Sequence, residues 1–171
     1  MKNTNFKNTL TILMLFISVA SFSQTQAFIG TWENHTGNSI FRVIISPNTS
    51  GHVATAPLMG RYFKVNINNG VETMEYSSDL APIGNFQWEP GFYADINDGY
   101  PNSSLSGELF DFTYPDPSKS KWGAFSISIN TISCLTCPLT ANWEVTRPSG
   151  LRLDNEPLDY NIPTSIVLTK Q

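Results

Sequence analysis

Short runs of apolar, aromatic and β-branched residues, each bounded by turn residues, recur along the chain, and no window of a dozen residues keeps an apolar stripe at helical spacing. This pattern predicts strands and not helices. The Asn68-Asn69-Gly70 stretch between two such runs marks the clearest hairpin, because Asn-Gly readily adopts the positive φ values of a tight turn. The predicted strands are 28–34, 38–46, 52–56, 60–67, 71–77, 84–88, 91–96, 106–114, 121–131, 139–146 and 164–169.

Many short strands with short links predict an all-β fold, an antiparallel up-and-down β-barrel of about eight strands. Closure of a barrel removes the sheet edges that would otherwise recruit other chains. A two-sheet β-sandwich is the alternative. The connection 147–163 is long for a compact domain, and its leucines and Ile162 predict that it packs over a barrel mouth.

Residues 1–23 have the features of a secretory signal peptide. Lys2 and Lys7 precede the apolar run 10–20, and small residues surround a cleavage point after Ser23. We therefore expect a single mature domain, 24–171, exported to the periplasm or the extracellular space. The rest of the chain contains no apolar stretch long enough to predict a membrane span.

Charge narrows the range of partners. Without Lys2 and Lys7 the chain keeps 8 basic residues against 14 acidic ones, a net charge of −6, and the basic residues are scattered. Nucleic acids and anionic membrane surfaces are therefore poor partners. The remaining candidates are an unknown small molecule or a protein.

The two cysteines, Cys134 and Cys137, predict a structural disulfide, because close cysteines in an exported protein are usually oxidised to each other. Redox-active thiols are one alternative, and a metal site completed by His35 and His52 is another. The acidic stretch 95–99 resembles the start of a calcium loop, but the closing carboxylate is missing. The sequence predicts no metal and no cofactor.

Catalytic motifs of the common hydrolases are absent from the sequence, since neither a G-x-S-x-G nor an H-E-x-x-H pattern occurs. Glu72 and Glu75 are expected to point to alternate faces of one strand and not to converge. A non-enzymatic function is therefore favoured. A hydrolase whose carboxylates are brought together only by the fold stays open as an alternative.

The segment Gly30-Thr31-Trp32 resembles the G-x-W signature of the calycins, the lipocalin and avidin group. The resemblance implies a barrel in which Trp32 has a structural role and closes one end. Asn34 falls where avidins have a ligand-binding Asn, and Gly60-Arg61-Tyr62 resembles a segment whose Tyr faces the ligand. Ser39 comes one position after the family's binding Ser, which implies that Ser39 points to the opposite face.

A broader likeness covers most of the chain. The GTWEN start of the mature domain, the GRYFK–NNG hairpin and the IPTSIVLTK ending resemble a family of small secreted bacterial β-proteins of unknown function. That resemblance implies export and a β-rich fold, and it implies no activity.

The leading hypothesis is a secreted, calycin-like barrel that binds a small ligand in its interior. Asn34, Ser39, Tyr62 and Trp122 are the expected binding residues. Trp122 lies on the polar-aromatic face of the run 121–130, a face that either lines a cavity or meets solvent. The second hypothesis is a structural or protein-binding β-domain at the cell surface. An internal cavity would favour the first hypothesis and a filled interior the second.

Overall fold

The computed structural model describes residues 25–49, 55–79, 91–97, 104–111, 113, 121–130, 136–147 and 159–171. One helical turn, 25–28, precedes nine strands in this part of the chain. The strands are β1 (Gly30–Thr36), β2 (Ser39–Pro47), β3 (Leu58–Asn68), β4 (Val71–Ser77), β5 (Phe92–Asn97), β6 (Ser104–Asp111), β7 (Lys121–Ile129), β8 (Thr140–Thr146) and β9 (Ser165–Lys170).

Each of these strands overlaps a run that the sequence predicts, with bounds that differ by up to three residues. The predicted strand 84–88 lies outside the described residues. Of the predicted strand 52–56, only residues 55 and 56 are described, and neither of them is in a strand. The predicted signal peptide, 1–23, also lies outside the described residues.

The strands form one antiparallel sheet in the order β2-β1-β9-β8-β7-β6-β5-β3-β4, and an additional pairing of β2 with β3 closes it. Eight strands therefore make a closed barrel in which chain neighbours pair, while β4 is an extra strand attached to β3. The prediction of an antiparallel up-and-down β-barrel of about eight strands is confirmed.

β3 is long enough to serve two neighbours on one edge. Its residues 58–60 pair with β5, and its residues 63–68 pair with β4. The turn into β4 contains Asn69 with φ 51° and Gly70 with φ 78°, as Asn-Gly predicts. We call the end of the barrel with this turn the upper end, and the opposite end the lower end.

Aromatic side chains fill the middle of the barrel. Neighbouring ring centroids are 4.4 to 6.2 Å apart, which is the range of direct aromatic contact. At Gly60 a Cβ atom would lie 1.9 Å from Cζ of Phe92, so the backbone of β3 touches that ring. The rings leave no room for a ligand between them. They belong to Phe41, Tyr62, Phe92, Phe125 and Trp143.

The helical turn 25–28 is attached to the lower end. Trp32 is fully buried, and its Nε1 donates a 2.8 Å hydrogen bond to the carbonyl of Phe28, which is also buried. Nζ of Lys170 donates to the carbonyl of Ala27 at 2.7 Å and lies 5.6 Å from the centroid of the Trp32 ring. Trp32 therefore packs where the chain enters the barrel.

A buried carboxylate, Asp111, ties the segment 159–163 to the upper end. Its Oδ1 accepts hydrogen bonds from the amide (3.1 Å) and the hydroxyl (2.6 Å) of Thr113. Its Oδ2 accepts from the amide of Asn161 at 2.8 Å. Nζ of Lys121, also buried, donates to the carbonyl of Asp159 at 2.9 Å. These bonds satisfy charged groups that would be costly to bury unpaired.

Packing contacts and one more hydrogen bond also attach the segment 159–163 to the upper end of the barrel. Ile162 is part of the core, and Nε1 of Trp143 donates to the carbonyl of Pro163 at 2.9 Å. At Gly123 a Cβ atom would lie 2.4 Å from the hydroxyl of Tyr160, so only glycine leaves space for that ring. The described end of the connection 147–163 thus packs over the barrel. Residues 148–158 lie outside the described part.

Two further predictions concern a membrane span and the two cysteines. Within the described ranges, no helix is long and apolar enough to cross a bilayer. Cys137 is not a free thiol. Cys134 lies outside the described residues, so the disulfide between the two cysteines stays a prediction.

Candidate binding site at the upper rim

Tyr62, one of the four expected binding residues, lies inside the barrel and is enclosed there. It is 0% exposed, and its hydroxyl donates to the carbonyl of Phe110 on β6. Its own backbone amide donates to Oγ of Ser78 at 3.0 Å. The Tyr62 hydroxyl therefore bridges two walls of the barrel, and its ring packs with other core rings.

Trp122 lies on the outer surface and not in the interior with Tyr62. It is 44% exposed and pairs with Phe110 on β6. Phe125, on the same strand as Trp122, faces the core, and Trp122 lies on the opposite face of that strand. Of the two possibilities for its face, a cavity wall or a solvated surface, the structure shows the solvated surface. The four expected residues therefore do not line one chamber.

Asn34 helps to close the barrel. The ladder between β1 and β9 has two registered pairs, Trp32 with Lys170 and Glu33 with Thr169. Beyond them, Nδ2 of Asn34 donates to the carbonyl of Val167 at 2.9 Å. The side-chain amide thus continues the seam where the backbone pairing ends.

Ser39 lies on the interior-facing side of its strand, the same side as Asn34. Gly37, with φ 60°, and Asn38 form a two-residue turn that places Ser39 directly opposite Thr36. The expectation that Ser39 points to the opposite face is therefore not met. Its hydroxyl donates to Oδ1 of Asn66, its partner on β3.

A β-bulge brings Glu75 to the same side. Lys64 pairs with Tyr76 and Val65 with Met74, which leaves Glu75 without a partner in the β3–β4 ladder. Its carboxylate accepts hydrogen bonds from Nζ of Lys64 at 3.0 Å and from Nδ2 of Asn66 at 2.9 Å.

These polar residues lie along the upper rim, from β1 to β4, in two hydrogen-bonded groups that we together call the rim belt. On β1, the hydroxyl of Thr36 donates to Oδ1 of Asn34 at 3.1 Å. From β2 to β4, Ser39, Asn66, Glu75 and Lys64 are linked in that order. The rim belt consists of Asn34, Thr36, Ser39, Lys64, Asn66 and Glu75.

The rim belt is balanced in charge, with one cation and one anion. The hydrogen bond from Lys64 is the main reason why the pKa of Glu75 is lowered, and the bond from Asn66 adds to it. Glu75 therefore stays ionised at neutral pH, and Lys64 is its counter-ion at 3.0 Å.

Tyr76 lies beside the rim belt, directly opposite Lys64, and its ring packs against the core. No described residue accepts a hydrogen bond from its hydroxyl. Burial raises the pKa of Tyr76, and the negative charges of Asp111 and Glu75 raise it further. The phenol therefore stays protonated and is a donor available to a ligand.

A separate ionic network lies on the outer face of the barrel. The guanidinium of Arg42 donates two hydrogen bonds to Glu72, of 3.1 and 2.9 Å, and a third to Glu33. Nε2 of His35 is 2.8 Å from the other oxygen of Glu33. The bond from Arg42 lowers the pKa of Glu72, and the bond to Glu72 raises the pKa of Arg42.

Glu72 and Glu75 thus bind different cations, Arg42 outside the barrel and Lys64 at the rim. They do not form a pair of facing carboxylates of the kind that glycoside hydrolysis needs. Among the described side chains, no group of three His, Cys, Asp or Glu residues could hold a metal ion.

Comparisons with known proteins add no identification: the chain matches no protein-family model, no curated protein and no solved structure. The calycin resemblance and the likeness to small secreted bacterial proteins both stay predictions. The candidate site consequently depends on the geometry of this chain alone.

Sequence reasoning found Asn34 and Ser39 but missed most of the rim belt and Tyr76. A signal for two members existed, because Lys64 and Asn66 alternate with Tyr62 and must share its face in a regular strand. Glu75 and Tyr76 carried no such signal. The bulge at Glu75 shifts their register, and the sequence around Met74 and Tyr76 does not mark it.

Proposed function

We propose that this protein is an exported, non-enzymatic β-barrel that binds a small molecule at its upper rim, at Tyr76 and the rim belt. Export and the mature domain 24–171 come from the sequence prediction. The location at the rim is supported by the packed interior, where aromatic rings are in direct contact. A ligand inside the barrel would have to displace those rings.

The observation that carries the proposal is the hydroxyl of Tyr76. A donor that stays protonated, packs against the core and has no acceptor among the described residues is ready to bind a ligand oxygen or nitrogen. Next to it, the rim belt supplies an ammonium, a carboxylate, amides and hydroxyls, and four of its residues are joined by hydrogen bonds. A few such polar groups beside an apolar surface are typical of small-molecule sites.

The test is native mass spectrometry of the mature protein purified from the cells that produce it. We expect a co-purifying ligand on the wild-type protein. Tyr76→Phe should reduce its occupancy by about three- to tenfold, because one hydrogen bond is lost. Tyr62→Phe is the matched control, since it removes a hydroxyl that is already bonded to Phe110, and it should keep the ligand.

Two outcomes contradict the proposal. One is a wild-type protein that carries no ligand in repeated preparations. The other is a ligand that Tyr76→Phe binds as well as the wild-type protein does. Circular dichroism of both variants separates a lost hydroxyl from a lost fold.

A protein-binding β-domain is the second candidate, and the exposed residues of β4 favour it. Val71 is 64% and Met74 57% exposed, although both are large and apolar. Photo-cross-linking from position 74 in the producing cells would test this function. One recurrent protein partner that is captured from position 74, and not from the exposed position 122 on β7, supports it, and the absence of a recurrent partner rejects it.

A further inference from the structure

Resting on the proposed function, we infer that the ligand of the upper rim is an uncharged, hydroxyl-rich molecule of the sugar class. The inference follows from three properties of the rim: its charges are paired, its free hydrogen-bonding groups both donate and accept, and an aromatic ring lies beside them.

Pairing of the charges disfavours a charged ligand. The ammonium of Lys64 lies 3.0 Å from the carboxylate of Glu75, which also accepts from Asn66. An anionic ligand would have to compete with Glu75 for Lys64, and a cationic ligand would have to compete with Lys64 for Glu75. Either exchange breaks the ion pair between Lys64 and Glu75, whereas an uncharged ligand leaves it intact.

The buried charges at the same end are also occupied. Asp111 accepts three hydrogen bonds from Thr113 and Asn161, and Lys121 donates to the carbonyl of Asp159 and lies 5.3 Å from the centroid of the Tyr160 ring. These groups hold the segment 159–163 in place. They are therefore structural partners of that segment and not partners for a charged ligand.

The free hydrogen-bonding capacity of the rim suits hydroxyl groups. The ammonium of Lys64 has three N–H donors and uses one on Glu75, and the amide of Asn66 has a second N–H beyond the one on Glu75. The hydroxyl of Ser39 donates to Asn66 and can still accept, while the hydroxyl of Tyr76 can both donate and accept. Neighbouring hydroxyls of a sugar are likewise donors and acceptors, so they can match a line of mixed groups.

The ring of Tyr76 supplies the apolar surface. It packs against the core beside Lys64, whose β2 partner is the core residue Phe41. Aromatic side chains with a polar tip present an apolar face and a hydrogen-bonding group together. The C–H face of a sugar ring can pack on Tyr76 while its hydroxyls reach the rim belt.

The test compares neutral sugars with analogues in which one hydroxyl-bearing group is replaced by a charged group. The mature protein is mixed with glucose, galactose and mannose, with the uronic acid of each, and with the amino sugar of each at about pH 6, where the amine is protonated. Saturation-transfer NMR and competition titrations give relative affinities. We expect at least one neutral sugar to bind about tenfold more tightly than both of its charged counterparts.

Three single substitutions test whether the sugar binds at the upper rim. Tyr76→Phe should weaken the neutral sugar by about three- to tenfold, since one hydrogen bond is lost. Tyr62→Phe should leave its affinity unchanged. Glu75→Gln should narrow the preference against the uronic acid, because Lys64 then has no anionic partner.

The inference is overturned when no neutral sugar binds, or when a charged counterpart binds as tightly as its neutral parent. The mass of the co-purifying ligand separates these failures from failure of the proposed function. If the co-purifying ligand is charged and Tyr76→Phe no longer binds it, the binding site at the rim is supported and the sugar class is rejected. A protein without any ligand would reject both.

Discussion

The barrel interior and the strand β4 are stabilised by different forces. In the interior, fully buried rings such as Trp143 and Phe92 touch one another at van der Waals distances. On β4, residues 71–75 are exposed, and the side chains that hold the strand are charged: Glu72 binds Arg42, and Glu75 binds Lys64. One region depends on the hydrophobic effect, and the other on backbone pairing with β3 and on ion pairs.

This difference determines how each region responds to solution conditions. Burial of apolar surface is insensitive to pH, whereas exposed ion pairs contribute little and are screened by salt. We therefore expect β4 to open locally at a lower free energy than the barrel. Glu75 and Tyr76 both lie on β4, so the candidate site shares a wall with the less stable region.

The largest expected effect comes from emptying the interior. Trp143→Ala should lower the free energy of unfolding by about 3–5 kcal/mol, because it removes a fully buried ring that contacts three other rings. Urea denaturation followed by circular dichroism measures this. Trp122→Ala is the control and should change stability by less than about 0.5 kcal/mol. Equal losses in both variants would refute a barrel filled by Trp143.

A smaller effect is expected from adding one methyl group to the interior. In Gly60→Ala the new Cβ would lie 1.9 Å from Cζ of Phe92, so the ring or the strand must shift. Overpacking of this kind lowers stability by about 1–3 kcal/mol. Thermal unfolding of Gly60→Ala, Phe92→Leu and the double variant tests the contact. Strictly additive losses would show that the two positions do not interact.

The smallest effect concerns β4 and pH. Glu72 and Glu75 have pKa values below their ordinary ones, because of hydrogen bonds from Arg42 and Lys64 respectively. A carboxylate with a depressed folded-state pKa stabilises the fold above its unfolded pKa, and this contribution disappears as the pH falls through the folded-state pKa. Amide protection of β4, corrected for intrinsic exchange, should therefore decrease in acid below about pH 4.5.

The β7 amides are the internal control for this prediction, and they should keep their protection over the same pH range. Glu72→Gln should lower β4 protection at neutral pH and reduce its dependence on pH. If wild-type β4 is equally protected in acid and at neutral pH, the ion pairs do not hold the strand.

Local patterns predicted the fold well but the candidate site only in part. Alternation placed Phe125 and Ile127 in the core, and Asn69-Gly70 marked the β3–β4 turn. Trp122 was ambiguous, because a polar face of a barrel strand can point inward or outward. Its position depends on which face the opposite walls cover, and the strand itself contains no such information.

The sequence by itself determined what is local: strands of period two, a turn that needs positive φ, and a chain with enough short strands to close a barrel. Tertiary structure decided which distant residues meet. The bond from Asn34 to Val167 spans 133 positions, and the Tyr62 hydroxyl reaches a carbonyl 48 positions away. Such partners depend on strand register, on one bulge and on closure of the sheet. These properties arise from the packing of the whole chain, so no single segment encodes them.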